Sequence, residues 1–162
     1  MNSLRYVHWL KDGRKCRLRE VGVRTGAEAQ EGQEAMLAET GFRVGSQAYL
    51  EFLSSNSLFL DIRGLLTGLS VGSASDLWVR SAAIRQLIMG KALPEHVRGE
   101  ITAAYEELAS LTEESSPMVT VHGSVVVTAT GQVVEGLTEQ YDPYVNNSGS
   151  QQVIQHVQRC WA

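Results

Sequence analysis

A cationic residue bracketed by glycines is the first feature of this sequence that points to chemistry. Gly22 precedes Arg24, and Gly26 and Gly32 follow it. Because glycine lets the backbone approach a ligand closely, the N–H groups of such a loop together with a guanidinium can bind phosphate. A solvated loop is the alternative interpretation, since neither a Walker A motif nor a dinucleotide-binding fingerprint is present.

The histidines and serines offer no recognisable catalytic motif. The four histidines are scattered without the spacing of metal ligands: His8, His96, His122 and His156. His122 stands beside Gly123 between two predicted strands, where it either reaches a site or simply ends a strand. Ser124 follows Gly123 but lacks the second glycine of a nucleophile elbow. The sequence therefore predicts neither a metal centre nor a nucleophilic serine.

Composition and charge narrow the class of protein. The 162 residues are 43% apolar and 20% charged, which is typical of one soluble globular domain. The net charge is −4, with 18 acidic against 14 basic residues, so the chain lacks the electrostatic signature of a nucleic-acid or lipid binder.

Localisation is predicted to be cytoplasmic. The first residues, Met1 to Arg5, lack the apolar core of a signal peptide, and no apolar run approaches the roughly 18 residues of a membrane span. Cys16 and Cys160 are far apart, and free thiols are expected, with a disulfide as the alternative.

Residues 46–112 are predicted to form four helices. Ser73 or Ser75 can cap the third, and Pro94 suits the first position of the fourth, with acidic Glu95 in its first turn. Apolar residues recur at helical spacing in each helix and are predicted to face a core. They are Ala48, Tyr49, Phe52 and Leu53, then Leu58, Ile62, Leu65, Leu66 and Leu69, then Leu77, Trp78, Ile84, Leu87 and Ile88, then Val97, Ile101, Ala104, Tyr105, Leu108 and Leu111.

Near Pro117 the helical spacing of apolar residues ends, and runs of β-branched residues typical of strands begin. A sheet part is predicted at about 118–147, with β-branched strands and a turn at Thr130-Gly131. A strand is also expected at 6–10, and a helix around 28–39. The fold class is therefore α+β, with a helical subdomain packed on a small, mostly antiparallel sheet. Residues 1–162 are predicted to form a single domain.

A terminal helix is predicted at 150–162, without a C-cap. Its apolar stripe ends at Cys160-Trp161, which is unusual at the end of a domain and suggests a part of a larger machine. Trp161 is expected either to pack on this chain's own sheet beside a Val125–Val127 strand or to lie in a subunit contact.

Five runs of residues together resemble the N-terminal nucleotide-binding region of the phosphoenolpyruvate synthase and pyruvate phosphate dikinase family. The resemblance covers nearly the whole chain and is strongest from 41 to 112 and at the end. The runs are Gly41-Phe42, Ala48-Tyr49-x-x-Phe52-Leu53-x-x-Asn56-x-Leu58, Ile84-Arg85-x-Leu87-Ile88, Leu93-Pro94-x-x-Val97-x-x-Glu100-Ile101-x-x-Ala104-Tyr105-x-x-Leu108 and Arg159-Cys160-Trp161-Ala162.

The resemblance implies part of an ATP-grasp-like fold that binds ATP and Mg²⁺ and passes phosphate to a histidine on a separate domain. The family's Gly-Gly-Lys corresponds to Gly22-Val23-Arg24, and its Arg-Ser-Ser-Ala-Thr strand begins at His122 and includes Ser124. Its Gly-Gln-x-Glu segment corresponds loosely to Gly136 to Glu139. The nucleotide-binding residues implied are Gly22, Arg24, His122, Ser124 and Glu139, and no catalytic residue is implied.

Two departures from the family bear on activity. Arg24 replaces a lysine, which keeps the charge but changes the hydrogen-bond geometry, and His122 replaces a phosphate-facing arginine. The resemblance ends before the rest of the ATP site, the phosphohistidine domain and the pyruvate-binding barrel. The isolated chain is therefore expected to be an inactive member of a kinase and phosphotransferase family.

Two functions remain open from the sequence. The chain either contributes to ATP binding and phosphoryl transfer together with the remainder of a split dikinase, or it is a catalytically inactive stand-alone derivative that serves as a scaffold or protein-interaction module. A homo-oligomer through the Trp161 helix is a further expectation. No nucleic-acid or membrane partner is expected.

Overall fold

Short β-branched segments build an antiparallel sheet in the computed structural model, which describes residues 5–9, 21–25, 40–123 and 144–162. Within these ranges the strands are β1 (Val7–Trp9), β2 (Val21–Thr25), β3 (Gly41–Val44), β4 (Val119–Gly123) and β5 (Tyr144–Asn147). Their order across the sheet is β1-β3-β2-β4-β5, and every neighbouring pair is antiparallel. The predicted sheet part thus holds β4 and β5, while β1 to β3 precede the helices.

Five helices accompany this sheet in the described part of the chain. They are α1 (Ser46–Ser55), α2 (Leu58–Leu66), α3 (Ala74–Met89), α4 (Glu95–Thr112) and α5 (Ser150–Trp161). The α+β fold class and the four helices of residues 46–112 are confirmed. Ser73 caps α3 by accepting a hydrogen bond from the Asp76 N–H at 3.2 Å, whereas Pro94 is the N-cap and α4 begins one residue later than predicted.

One sequence prediction about the first 45 residues is wrong. The glycine spacing predicts a loop for Gly22 and Arg24, but both belong to β2, which lies in the middle of the sheet. Val21 and Val23 explain this, because they alternate with Gly22 and Arg24 and are buried in the core. The helix predicted around 28–39 and the strands and turn predicted between 124 and 135 lie outside the described residues.

The core forms between one face of the sheet and helices α1, α4 and α5. The sheet contributes side chains that alternate along each strand, and the helices contribute their apolar stripes. The largest completely buried side chains are Phe42, Phe52, Leu58, Ile88, Ile101, Leu108, Val21, Val23, Val44, Val97, Val119 and Val121.

The apolar stripes of α2 and α3 are only partly buried, contrary to the sequence prediction. Leu58 and Ile88 are buried, but Leu66, Leu77 and Trp78 are exposed. The reason is geometric: α2 packs on α1 and α3, and α3 packs on α2 and α5, so these helices pack at one end of the core. Helical periodicity identifies an apolar face but does not state what covers it. Leu111, near the end of α4, was also predicted to face the core and is exposed.

The terminal helix packs inside the chain. The Trp161 ring lies 5.6 Å from the Tyr49 ring and 5.5 Å from the Phe52 ring of α1, measured between centroids, and is buried. The contact found is therefore with a helix, and the expected neighbours, 125–127, lie outside the described residues. Gln158 strengthens the attachment, since its Nε2 donates to the carbonyls of Ile88 at 2.8 Å and Lys91 at 2.7 Å.

Tyr105 joins three parts of the chain. Its buried hydroxyl donates to the Pro117 carbonyl at 2.8 Å and accepts the Gly149 N–H at 2.7 Å. Because Gly149 is the N-cap of α5, this single hydroxyl connects α4 to the entrance of β4 and to the start of the terminal helix.

Glu100 attaches the first strand to α4. Its carboxylate accepts the backbone N–H groups of three consecutive residues, Arg5 at 3.0 Å, Tyr6 at 2.7 Å and Val7 at 3.2 Å. The strand β1 pairs only with β3 among the described strands, so these bonds provide N–H partners that the sheet does not.

We expect Glu100→Gln to lower the free energy of unfolding by about 1.5–3 kcal/mol, the range for hydrogen bonds to a charged group. Glutamine keeps the shape of the side chain but replaces one accepting oxygen by an NH₂ group that faces an N–H. Urea denaturation measures the change. Glu107→Gln on the exposed face of α4 is the matched control. Equal stability of the two variants would contradict this role of Glu100.

His156 connects α5 to β5 through its ring. The imidazole stacks on the Tyr144 ring at a centroid distance of 4.3 Å and an interplanar angle of 13°, and its Nε2 lies 3.2 Å from Nη1 of Arg159. Burial, and secondly the charge of Arg159, lower the pKa of His156 below its ordinary value.

The lowered pKa predicts an acid sensitivity of the fold. Because the unfolded chain takes up a proton near pH 6.5 and the folded His156 only at lower pH, stability should fall as the pH drops below about 6.5. His156→Phe, which preserves the stacking, should reduce this fall in the urea midpoint between pH 7.5 and 5.5. Arg159→Met removes the smaller cause and should reduce it less. An unchanged slope in His156→Phe would contradict the assignment.

Candidate functional site

The face of the sheet opposite the helices carries the polar residues of the strands. Val7, Val21, Val23, Val44 and Val121 are buried on the helix side. Since side chains alternate between the two faces of a strand, the intervening positions lie on the other side of the sheet. Those positions are His8, Gly22, Arg43, Thr120 and His122.

Strand register places four of these residues in one row. His8 pairs with Arg43, Arg43 with Gly22, and Gly22 with His122, so the row crosses β1, β3, β2 and β4. Because neighbouring strands are about 4.8 Å apart, the Cα atoms of Arg43 and His122 are about 10 Å apart. We call these four residues the cationic row, because they combine a guanidinium and two imidazoles around one glycine.

The backbone of Gly22 lies directly beneath the His122 ring. A Cβ at this position would lie 2.4 Å from Cε1 and 2.6 Å from Nε2 of His122, which means that the His122 ring lies over the glycine backbone. No side chain fits there without moving the imidazole. The requirement for glycine at position 22 is therefore a matter of space above the strand, and not of a turn.

His8 and Arg43, which are neighbours in the row, differ in exposure. His8 is exposed, and a Cβ on Gly45 would lie 3.4 Å from its Nε2, so the ring lies beside the end of β3. Arg43 is half-buried between β1 and β2. Half-burial strengthens the electrostatic interaction of a guanidinium with any anion that reaches it.

The structure brings together only some of the nucleotide-binding residues that the sequence resemblance implies. Gly22 and His122 are brought together as a cross-strand pair. The backbone of Arg24 pairs with Gly41 on β3 and Thr120 on β4, two residues along from Gly22. Ser124 and Glu139 lie outside the described residues, although Ser124 directly follows the last residue of β4.

The sequence reading missed Arg43 and His8 as members of this face. A signal for Arg43 was present, because Gly41-Phe42-Arg43-Val44 alternates apolar and other residues and so places Arg43 opposite Phe42 and Val44. His8 alternates with Val7 and Trp9 in the same way. Only the register, however, puts them in one row with His122.

The chemistry of the cationic row suits anion binding. A guanidinium offers paired donors to phosphate or carboxylate oxygens, and imidazole offers a single donor. No group of three or more metal-ligating side chains occurs among the residues that the structure describes. In the same ranges, no helix is long and apolar enough to cross a membrane.

Cys160 lies on the other side of the sheet and takes no part in the row. Its Sγ is 3.7 Å from where a Cβ of Gly123 would stand, and the thiol is free. Burial raises the pKa of Cys160 to about 11, so the thiolate is scarce near neutral pH and the residue is not poised as a nucleophile.

Comparison with known proteins gives one consistent family. A family model described as the AMP/ATP-binding domain of pyruvate phosphate dikinase matches residues 16–162. A protein of Methanocaldococcus jannaschii described as a probable phosphoenolpyruvate synthase is 29% identical over 99% of this chain and 13% of its own length. A protein of Staphylothermus marinus with the same description is 29% identical over 98% of this chain and 19% of its own length.

A bacterial relative extends the comparison. The phosphoenolpyruvate synthase of Helicobacter pylori is 28% identical over 98% of this chain and 20% of its own length. The chain thus spans a fifth or less of the length of these three relatives. No solved structure matches it.

The fit between Gly22 and His122 can be tested by filling the space. We expect Gly22→Ala to displace the His122 imidazole, because the new methyl group would stand under 3 Å from two ring atoms. The Cε1–H signal of His122 in an NMR spectrum should shift. Gly99→Ala, where nothing lies within 4 Å of the added methyl group, should leave that signal unchanged. An identical His122 signal in both variants would show that the ring does not lie over Gly22.

Proposed function

Because this chain belongs to the pyruvate phosphate dikinase AMP/ATP-binding domain family, we propose that it binds the phosphates of ATP at the cationic row of the sheet. The observation that supports this most directly is the register that places Arg43, Gly22 and His122 side by side on the face away from the helices. A guanidinium with imidazole donors beside it on one face of a sheet can donate hydrogen bonds to the oxygens of a polyphosphate.

Three residues of the row, together with Arg24 two residues along β2 from Gly22, have distinct parts in this proposal. Arg24 and Arg43 are permanently charged, and their guanidinium groups supply paired donors to phosphate oxygens. His122 supplies one donor, and a positive charge only when protonated. Gly22 leaves the space that the His122 ring occupies. Ser124 and Glu139 are assigned to the same nucleotide by their correspondence to the family's motifs.

Magnesium enters the proposal together with ATP. The metal would neutralise charge between the phosphates, which is its general contribution to phosphoryl transfer. We assign no residue of this chain to it. The residues of the row act on the phosphates directly, through charge and hydrogen bonds.

The proposed activity of the chain is nucleotide binding within a larger dikinase-type assembly. The named relatives are phosphoenolpyruvate synthases, and this chain corresponds to a small share of each. A dikinase reaction needs a histidine carrier and a pyruvate site, which the family places in other regions. We therefore propose that the chain contributes to phosphoryl transfer only together with such parts.

An inactive scaffold is the second candidate function. It is supported by His122, which stands where the family's motif has a phosphate-facing arginine. Losing a permanent charge at such a position weakens stabilisation of the transferring phosphate far more than it weakens the fold. The two candidates differ in whether ATP binds, so one titration separates them.

We expect the chain to bind ATP with magnesium in a calorimetric titration, and Arg24→Met and Arg43→Met each to weaken binding about tenfold or more. This is the effect of losing a charge-assisted hydrogen bond worth about 1.5–3 kcal/mol. Arg98→Met on α4, which packs on the opposite face of the sheet from the row, is the matched control and should bind as the parent does. His122→Phe should weaken binding more at pH 6 than at pH 8, because only the protonated ring adds charge.

Two results would contradict the proposal. Equal affinity of the parent and both arginine variants would mean that ATP contacts neither Arg43 of the cationic row nor Arg24. Absence of binding in the parent would favour the scaffold function. Addition of pyruvate to the same samples should yield no phosphoenolpyruvate, and its formation would show that the chain is a complete enzyme.

A further inference from the structure

Thr120 lies on the same face of the sheet as the cationic row. It alternates along β4 with Val119 and Val121, which are buried in the core, so it belongs to the side away from the helices. The residue is half-buried, and within the described ranges of the chain its hydroxyl has no hydrogen-bond partner. The fold therefore leaves this hydroxyl available to a ligand on the face where the cationic row stands.

Strand register places Thr120 in a second row that runs beside the cationic row. Thr120 pairs with Arg24 on β2, and Arg24 pairs with Gly41 on β3. We call these three residues the second row. Each lies two positions along its strand from a member of the cationic row: Thr120 from His122, Arg24 from Gly22, and Gly41 from Arg43. Because a strand rises by about 3.3 Å per residue, the two rows are about 7 Å apart.

An arginine and a glycine are paired across β2 and β3 in both rows. Arg43 on β3 lies opposite Gly22 on β2, and Arg24 on β2 lies opposite Gly41 on β3. The two arginines are therefore diagonal neighbours on the sheet, with Cα atoms about 7–8 Å apart. One permanent positive charge in each row favours an anion that carries more than one charged group.

Threonine reports the position of a ligand more closely than arginine does. The side chain of arginine is long and has many rotamers, so its guanidinium can approach a phosphate above either row. The hydroxyl of Thr120 is attached to Cβ, and β-branching restricts the rotation of this side chain. The hydroxyl therefore contacts only a group that lies directly above the second row.

We infer that Thr120 is a specificity-determining residue of the phosphate site. Its hydroxyl donates a hydrogen bond to a second phosphate of a chain whose first phosphate lies at the cationic row. This inference rests on the proposed function, and it adds which phosphate compounds the site selects. An anion of two or more linked phosphates contacts both rows, whereas a single phosphate contacts the cationic row alone.

A purely structural role is the competing explanation for Thr120, because β-branched residues are favoured in strands. Two substitutions separate the explanations. Thr120→Val keeps the β-branched shape and replaces the hydroxyl by a methyl group, whereas Thr120→Ser keeps the hydroxyl and removes a methyl group. A binding role makes the valine variant the more harmful of the two, and a structural role makes the serine variant the more harmful.

The test titrates the chain with inorganic tripolyphosphate and, separately, with orthophosphate, and the Cε1–H signal of His122 in NMR spectra gives each dissociation constant. We expect Thr120→Val to weaken tripolyphosphate binding about tenfold, the effect of losing one hydrogen bond to a charged group, and to leave orthophosphate binding unchanged. Thr120→Ser should bind both anions as the parent does. Thr102→Val, which changes a half-buried threonine of α4, is the matched control and should have no effect on either.

Three results would overturn the inference. Unchanged tripolyphosphate affinity in Thr120→Val would mean that the hydroxyl does not contact the ligand. Equal weakening of both anions would mean that Thr120 does not distinguish them, and a greater loss in Thr120→Ser than in Thr120→Val would show a structural role.

Arg43→Met distinguishes these results from a failure of the proposed function. If Arg43→Met weakens tripolyphosphate binding and Thr120→Val does not, the phosphate site stands and only the role of Thr120 is wrong. If Arg43→Met binds tripolyphosphate as tightly as the parent, or if the parent binds neither anion, the cationic row is not the phosphate site and both proposals fail.

Discussion

The pairing of β2 with two other strands is the constraint on which the rest of this structure depends. β2 comes from the first part of the chain, and it pairs with β3 on one side and with β4, almost a hundred residues later, on the other. Its valines, Val21 and Val23, are buried on the face of the sheet that packs against the helices. A shift of the strand register by one residue would move every side chain of β2 to the other face of the sheet. Burial of the two valines therefore also determines which residues of β2 lie on the opposite face.

The cationic row follows directly from this register. Gly22 is paired with Arg43 and His122 at once, which requires β2 to lie between β3 and β4. The glycine has no local role in a turn, and its value lies in the space it leaves for the His122 ring. A site made in this way draws one residue from each of several strands, so its precision depends on the stability of the whole sheet and not on one loop.

The helices differ in how completely their apolar side chains are buried. Helices α1, α4 and α5 bury their stripes against the sheet and against each other, with Trp161 between Tyr49 and Phe52 as the clearest case. Polar contacts reinforce this part where backbone groups would otherwise lack partners, as Glu100 and Tyr105 show. Helices α2 and α3 leave Leu60 and Trp78 exposed, because they pack at one end of the core.

Much of the fold was predictable because it depends on local signals. The four helices of residues 46–112, the Ser73 cap and the change of period near Pro117 are readable from neighbouring residues, since caps and apolar spacing act within a few positions. The resemblance of the quoted runs to the dikinase family likewise rests on the order of residues, and the family match confirms it. Gly22 and His122 are candidates from the residues themselves, and only their assignment to a nucleotide comes from that resemblance.

Other features were decided by tertiary structure. The short strand β2 could be read as a loop because two valines are a weak signal until partner strands on both sides bury them. Arg43 and His8 join the row only through registers between distant segments, and the same apolar spacing is mostly buried in α4 but only partly buried in α2 and α3. The sequence by itself determined which faces are apolar and where helices begin. The packing decided which of those faces meet each other, because burial depends on neighbours that are remote along the chain.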